Sequence, residues 1–154
     1  MQLWKKSIFM EILIASDHAG YDLKKHIKDF FEGKYTWIDL GTFSTERVDY
    51  PDFIHPLAKS IDNNFSEKGI IICGTGNGAA MTANKYPNVR AALCWKSEIA
   101  VLARKHNDAN ILALPARFIS EKEACEIVEL FLHTEFEKGR HQTRVDKINL
   151  QYIW

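Results

Sequence analysis

The stretch "GIIICGTGNGAAMTANK", residues 69–85, decides the fold of this chain. A short apolar run ends in Cys73, and glycines at 74, 76 and 78 then alternate with polar residues before a run of small residues. Apolar residues bounded by glycine predict a buried strand, and the residues from Asn77 to Lys85 predict a helix. Such a strand–loop–helix unit is typical of parallel α/β folds, and here it places a thiol at the start of a glycine-rich loop.

Short apolar runs and amphipathic stretches alternate along the rest of the chain. Strands are predicted at "EILIAS", "YTWIDLG", "GIIIC", "VRAALC" and "NILALP". Runs that are apolar on both faces indicate a parallel sheet covered by helices on both sides. We therefore predict a single-domain, Rossmann-like α/β fold, a five-stranded parallel sheet flanked by helices, over residues 11–150, with residues 1–10 as an N-terminal extension.

The stretches between the predicted strands carry helix signals. In "YDLKKHIKDFFEG", one predicted helical face is formed by four apolar residues, Leu23, Ile27, Phe30 and Phe31. A second helix is predicted to open near Pro51, although Pro56 obscures its course. Ser97 and Ser120 are the predicted N-caps of two later helices.

Composition narrows the classes of function. The 20 acidic residues balance the 20 basic ones, which weighs against a nucleic-acid-binding surface. No apolar run approaches the roughly 20 residues of a membrane span, and "MQLWKKSIFM" lacks the apolar core of a secretion signal. Three cysteines without zinc-knuckle spacing predict free thiols and a cytoplasmic protein.

Polar, ionisable and glycine residues follow the predicted strands. Because ligands of parallel α/β folds bind beyond the carboxyl ends of the strands, we expect these residues to gather at that one end of the sheet. They are Asp17 and His18, Gly41 and Thr42, Asp49 and Tyr50, Cys73 with the glycine loop, His106 with Asn107, and Arg117. Each alone is more simply explained as a turn or cap residue, but a shared location favours a binding site.

The glycine loop has three interpretations. It lacks the Gly-Lys-Ser/Thr ending of a nucleotide-binding P-loop. Gly74, Gly76 and Ala79 match the G-x-G-x-x-A pattern of dinucleotide-binding folds, but the loop follows the third strand and no acidic residue ends the next one. The favoured interpretation is an anion cradle, in which successive backbone N–H groups bind a phosphate or stabilise an oxyanion.

Cys73 borders this cradle. A helix N-terminus favours the thiolate, which serves as a nucleophile or general base. The simpler explanation is a buried strand-end cysteine, the role assigned to Cys94 and Cys125. Arg140 and Arg144 are four residues apart, so on a helix they share a face that suits a phosphate or, alternatively, pairs with nearby acidic side chains.

Together these motifs resemble the ribose-5-phosphate isomerase B family, which includes galactose-6-phosphate isomerase subunits. The resemblance runs from Glu11 to about Ile148 and rests on "SDHAGYDLK", "DLGTFSTERVDYPDF", "ICGTGNG", "ANK", "RKHNDANILALPARFI" and "EKGRHQTRVDKI". It implies a metal-free interconversion of aldose and ketose phosphates through a cis-enediolate. It also implies a dimer whose sites combine residues of both subunits.

The same resemblance implies roles for individual residues. Cys73 is the implied base that moves the proton between C1 and C2, since the glutamate that some members carry after "GNG" is Ala79 here. Thr75 is implied to orient or assist the thiol, and His106 to be the acid that opens the furanose ring. The implied substrate-binding residues are Asp17, His18, Gly74, Thr75, Gly76, Asn77, Gly78, Asn107, Arg117, Arg140 and Arg144. Among them, the loop N–H groups would bind the enediolate oxygen and the arginines the phosphate, some of them from a second subunit.

The sequence therefore favours a cytoplasmic ribose-5-phosphate isomerase of the pentose phosphate pathway. We expect it to act on a small sugar phosphate, to need neither cofactor nor metal, and to form a homodimer or tetramer. Neither nucleic acid nor a membrane is an expected partner. Three alternatives stay open: an isomerase of galactose or allose 6-phosphate, a dinucleotide-binding oxidoreductase, and a phosphosugar-binding module without catalytic activity.

Overall fold

Five strands form a parallel sheet in the computed structural model, which describes residues 9–150. The strands are β1 (Glu11–Ser16), β2 (Thr36–Asp39), β3 (Gly69–Cys73), β4 (Ala91–Leu93) and β5 (Ile111–Pro115). The helices are α1 (Tyr21–Phe30), α2 (Tyr50–Asp62), α3 (Asn77–Ala83), α4 (Ser97–Asn107), α5 (Glu121–His133) and α6 (Arg140–Asp146). The predicted α/β class and five-stranded parallel sheet are confirmed. Most of the predicted extension, residues 1–8, lies outside the described residues.

β5 lies between β3 and β4, so the strand order is β2-β1-β3-β5-β4. All four strand pairs are parallel. In the central pair, Gly69 lies opposite Ile111 at one end, and Cys73 lies opposite Pro115 at the other. The sheet thus has an amino end, where its strands begin, and a carboxyl end, where they finish.

Alternating side chains of β3 divide the core between the two faces of the sheet. Ile70 and Ile72 pack with apolar residues of α1, α4 and α5, whereas Ile71 and Cys73 pack with those of α2 and α3. All five residues of β3 are buried, as expected for a central strand covered on both faces. The thiol of Cys73 therefore belongs to the α2–α3 face. Among the helices of residues 9–150, none combines the length and apolarity needed to cross a membrane.

The helix predictions are confirmed in part. Ser120 forms a full capping box with Glu123 at the start of α5. Ser97 is not a cap: it is the first residue of α4, Lys96 precedes it, and no side chain caps this helix. Phe30 was predicted to share one helical face with three other apolar residues, but it is 62% exposed, whereas Leu23, Ile27 and Phe31 are buried.

α2 begins at Tyr50, in agreement with the predicted start near Pro51, whereas the end of α3 differs from the prediction. α2 runs through Pro56 without interruption, since a proline costs one backbone hydrogen bond but tertiary packing of the buried Ile54, Leu57 and Ile61 holds the helix. α3 ends at Ala83, two residues before the predicted end at Lys85.

Candidate active site

The Cys73 thiol lies at the carboxyl end of the sheet, inside the glycine loop. The backbone N–H of Gly76 donates a hydrogen bond to Cys73 Sγ at 3.2 Å. Gly76 has φ 74°, and a Cβ on it would lie 2.4 Å from Leu93 Cδ1, so the turn that aims this N–H requires glycine. The glycine loop thus directs a backbone N–H at the sulfur of Cys73.

Arg117 lies against the same loop. The backbone N–H groups of Ala116 and Arg117 donate to the carbonyl oxygens of Cys73 and Gly74 at 2.9 and 3.0 Å. A Cβ on Gly74 would lie 3.2 Å from Arg117 Nη1, so the guanidinium packs over this glycine. The structure therefore brings the exposed positive charge of Arg117 next to the predicted anion cradle.

The far side of the loop is bounded by an aromatic side chain. Thr75 and Asn77 are exposed, and the Asn77 N–H donates to Thr75 Oγ1 at 3.3 Å. A Cβ on Gly78 would lie 2.5 Å from the ring of Tyr50, so this glycine lets Tyr50 close over the loop. Tyr50 was among the residues predicted at this end of the sheet, but its contact with Gly78 could not be derived from spacing.

Asp17 and His18 follow β1 at the same end of the sheet. The Asp17 N–H donates to the Ile72 carbonyl at 3.2 Å, which ties this turn to β3. Asp17 is buried, and its Oδ1 accepts from the Gly20 N–H at 3.1 Å. His18 Nδ1 lies 3.2 Å from the backbone nitrogen and oxygen of Val48. The carboxyl end thus collects Asp17, His18, Cys73, the loop of residues 74–78 and Arg117.

His106 and Asn107 lie elsewhere, and the prediction that they share this end of the sheet is wrong. They end α4, and a helix that leads into a parallel strand ends where that strand begins. The carbonyl of Asn110 accepts from the N–H of Gly69, which places residue 110 beside the first residue of β3. The five residues of β5 span about 16 Å from there to the carboxyl end.

His106 belongs to a second group of residues at the amino end. Its imidazole stacks on that of His141 in α6, with ring centroids 4.3 Å apart and planes 13° from parallel. Glu137 Oε2 lies 3.6 Å from His141 Nε2. Burial, followed by the nearby His106 and Arg140, lowers the pKa of His141, although Glu137 opposes the shift. The sequence analysis missed His141, for which the position between two predicted phosphate-binding arginines was the available signal.

Arg140 and Arg144 lie on either side of His141 along α6 and are exposed. Within residues 9–150, neither guanidinium forms an ion pair with an acidic side chain, so the alternative of a solvated, acid-paired face is not observed. Two uncompensated guanidiniums beside His106 make this end of the molecule a suitable place for an anion.

The imidazoles of His106 and His141, together with Glu137, form a candidate metal-binding group. His106, Glu137 and His141 bring ligand atoms within 4.8 Å of one another, the only such group in the described part of the chain. The rings are stacked and nearly parallel, so an ion in the plane of one ring lies outside the plane of the other. One of the rings would have to rotate before both could bind the same ion.

Cys94 and Cys125 are buried, as predicted. Burial raises the pKa of the Cys94 thiol to about 12. Burial, with a smaller contribution from Glu121, raises that of Cys125 to about 11. Both therefore stay protonated at neutral pH, in contrast to what a catalytic thiol requires.

Comparison with known proteins identifies relatives of this chain. A family model described as Ribose/Galactose Isomerase matches residues 12–148. The chain belongs to this family. A Mycoplasma genitalium relative named as a probable ribose-5-phosphate isomerase B is 46% identical over 140 residues, which make up 89% of this chain and 92% of the relative.

Solved structures of the family share the fold. Clostridium thermocellum ribose-5-phosphate isomerase B superposes with a TM-score of 0.88 at 49% identity, over 90% of this chain and 95% of that one. The Mycoplasma genitalium enzyme, solved with bound ribulose 5-phosphate, gives a TM-score of 0.86 at 45% identity, over 90% of this chain and 93% of that one.

Proposed function

We propose that this chain interconverts ribose 5-phosphate and ribulose 5-phosphate, with Cys73 as the general base. The observation that carries the proposal is the hydrogen bond from the Gly76 N–H to the Cys73 thiol within the glycine loop. This bond places a candidate general base next to a candidate oxyanion-binding loop, and an aldose–ketose isomerisation needs both. The family, and the ribulose 5-phosphate bound by a relative of 45% identity, support the choice of sugar.

The chemistry follows from these two devices. The Cys73 thiolate removes the proton from C2 of the open-chain aldose, the electron pair forms the C1–C2 double bond, and the C1 oxygen becomes an oxyanion. Backbone N–H groups of Gly74, Thr75, Gly76, Asn77 and Gly78 stabilise this enediolate. The thiol then returns the proton to C1 while the hydroxyl proton moves from O2 to O1, which yields the ketose.

The two ends of the sheet imply that a site is built by two subunits. Cys73 and Arg117 lie at the carboxyl end, whereas His106, Asn107, Arg140 and Arg144 lie at the amino end about 16 Å away. A five-carbon phosphate is too short to contact both groups in one chain. We therefore assign the amino-end residues to the site of a partner copy in a homodimer or a tetramer built from it.

In this arrangement the partner copy supplies ring opening and phosphate binding. His106 transfers the proton that opens the furanose, and Asn107 contacts a sugar hydroxyl. Arg140 and Arg144 bind the phosphate together with Arg117 and His18 of the first copy, and Asp17 contacts a sugar oxygen. Thr75 holds the turn through its bond with the Asn77 N–H.

An assay of ketose formation from a panel of aldose phosphates tests the proposal. Ribose 5-phosphate should give the highest kcat/KM, ahead of allose and galactose 6-phosphates. A preference for a hexose phosphate would favour that alternative within the family, and binding without turnover would indicate a phosphosugar-binding module. NADH fluorescence titration tests the dinucleotide alternative, for which no binding is expected. Three free thiols agree with a cytoplasmic location.

A further inference from the structure

Lys24 is one of the most deeply buried side chains of the protein. It lies in α1 with 1% of its surface exposed, although lysine is rarely buried without compensation. Its ammonium donates to Asp39 Oδ1 at 2.7 Å and to the Thr42 carbonyl oxygen at 2.6 Å. The Phe43 ring centroid lies 5.3 Å from the same nitrogen. Burial lowers the pKa of Lys24, and the bond to Asp39 opposes this shift.

Asp39 is the acceptor around which this cluster is arranged. Its Oδ1 also accepts from the Gly41 N–H at 2.9 Å, and its Oδ2 accepts from Lys28 at 3.0 Å. Burial alone would raise its pKa, but the bonds from Lys24, Gly41 and Lys28 together lower it. An ionised Asp39 therefore joins α1 to the turn that follows β2.

This turn is bonded directly to the end of β1. The Ser16 N–H donates to the Gly41 carbonyl, and the Thr42 N–H donates back to the Ser16 carbonyl, both at 2.7 Å. Ser16 immediately precedes Asp17 and His18. Lys24 thus binds the carbonyl oxygen of Thr42, and the N–H of the same residue binds Ser16, which orients the backbone leading into Asp17 and His18.

The same turn starts the segment that reaches the glycine loop. Beyond Thr42 the chain passes Val48, whose backbone contacts His18, and arrives at Tyr50, whose ring lies over Gly78. His18 and Tyr50 therefore depend for their position on where this segment begins.

We infer that Lys24 is a positioning residue for the carboxyl-end part of the active site. It anchors the carbonyl of Thr42, and through that turn it fixes the backbone of Asp17 and His18 and the path of the chain to Tyr50. The inference rests on the proposed isomerase function. Its contribution is to geometry, since the buried ammonium of Lys24 is engaged by Asp39 and by the carbonyl of Thr42.

The test compares three variants with the wild-type chain in a ribose 5-phosphate isomerase assay. Lys24→Met removes the ammonium but keeps an unbranched stem. Lys24→Met combined with Asp39→Leu also removes the carboxylate, which would otherwise keep only Lys28 and the Gly41 N–H as partners, because replacing a buried ion pair with apolar residues often preserves stability. Lys28→Met is the matched control: it removes the other lysine bonded to Asp39 but leaves the Thr42 carbonyl bonded to Lys24.

We expect kcat of the Lys24 variants to fall at least about tenfold with KM within about twofold, since displacement of reacting groups lowers turnover more than phosphate binding. Lys28→Met should keep wild-type kcat. The double variant separates position from stability, because it should melt close to the wild-type temperature yet stay slow. A folded Lys24 variant, single or double, with wild-type kcat would overturn the inference. An inactive wild-type chain would instead refute the proposed function.

Discussion

Cys73 and His106 lie at opposite ends of one parallel sheet. Cys73 is the last residue of β3, opposite Pro115, whereas His106 precedes β5, whose first residue lies opposite Gly69. The length of β5 therefore separates the proposed base from the proposed ring-opening acid. A reaction that uses both must bring the amino end of one copy to the carboxyl end of another.

Complementation between two damaged chains tests this shared site, with ribose 5-phosphate kept well below the wild-type KM so that Arg144→Ala, with its raised KM, is nearly inactive alone. Cys73→Ala damages the carboxyl end and Arg144→Ala the amino end, so each heterodimer of the two variants keeps one intact site. A random mixture of equal amounts should recover about a quarter of wild-type activity. Half of the dimers are then heterodimers, and each heterodimer has one intact site out of two. The measurement is isomerase activity after mixing under conditions where subunits exchange.

The matched control mixes Cys73→Ala with Thr75→Ala. Both substitutions lie at the carboxyl end, so every heterodimer has two damaged sites and activity should stay at the level of the separate variants. A shared site would be contradicted if activity recovered equally in the two mixtures. It would also be contradicted if the mixture of Cys73→Ala with Arg144→Ala recovered no activity although mass spectrometry showed that heterodimers had formed.

Arg140→Ala and Arg144→Ala should each raise KM much more than they lower kcat. Phosphate binding stabilises the ground state and the transition state about equally, so the loss of a phosphate contact raises KM and leaves kcat nearly unchanged. A charge-assisted contact contributes roughly 2 kcal/mol, which corresponds to about a 30-fold change in KM. Lys59→Ala, at an exposed position on α2, serves as a charge-matched control and should leave KM unchanged. Normal KM values in both arginine variants would argue against their phosphate role.

Hydrogen exchange with solvent should separate Cys73 from His106. Cys73→Ala should abolish exchange of the C1 or C2 hydrogen for both sugars, and Cys73→Ser should do little better because a hydroxyl is scarcely ionised at neutral pH. His106→Ala should slow ribose 5-phosphate but spare ribulose 5-phosphate, which cannot close a furanose ring. Near-normal exchange in Cys73→Ala would identify another residue, with Asp17 and Asp49 next to be tested.

Alkylation should distinguish the three cysteines. Iodoacetamide reacts with thiolates, and burial holds the pKa values of Cys94 and Cys125 at about 12 and about 11. Cys73 accepts a hydrogen bond from the Gly76 N–H and should therefore be modified first at pH 7–8, with protection by ribose 5-phosphate. Peptide mass spectrometry over a time course provides the measurement. Faster labelling of Cys94 than of Cys73 would contradict the assignment.

Cys94 should make the fold sensitive to alkali. Its pKa rises from 9.0 in the unfolded chain to about 12 in the folded one, so between these values the unfolded thiol loses its proton while the folded thiol keeps it. Below about pH 9 the ionisation of Cys94 does not change the free energy of unfolding. Above that value it lowers the free energy of unfolding by about 1.4 kcal/mol per pH unit. Cys94→Ala should show a shallower loss of the free energy of unfolding in urea titrations at pH 8, 9 and 10. An identical pH dependence in variant and wild type would refute this.

The local structure was predictable from the sequence because its causes are local. The strand β3 and the N-cap Ser120 of α5 are both indicated by residues that are close together in the sequence. The placement of His106 was also available, since a residue between a helix and the following strand lies at the amino end of a parallel sheet, but the sequence analysis grouped it with residues that follow strands. The insertion of β5 between β3 and β4 was not available, because strand neighbours depend on packing between distant segments.

The position of β5 also sets an order of folding. Among the strands of residues 9–150, β4 pairs with β5 alone, so Ala91–Leu93 has none of them to join until the later residues of β5 have been synthesised. A nascent chain that stops short of Ile111 has β1, β2 and β3 available but leaves one side of β3 open. Such an apolar, unpaired strand is a template for association with other chains. Premature termination within α4 should therefore yield aggregates rather than a smaller soluble sheet.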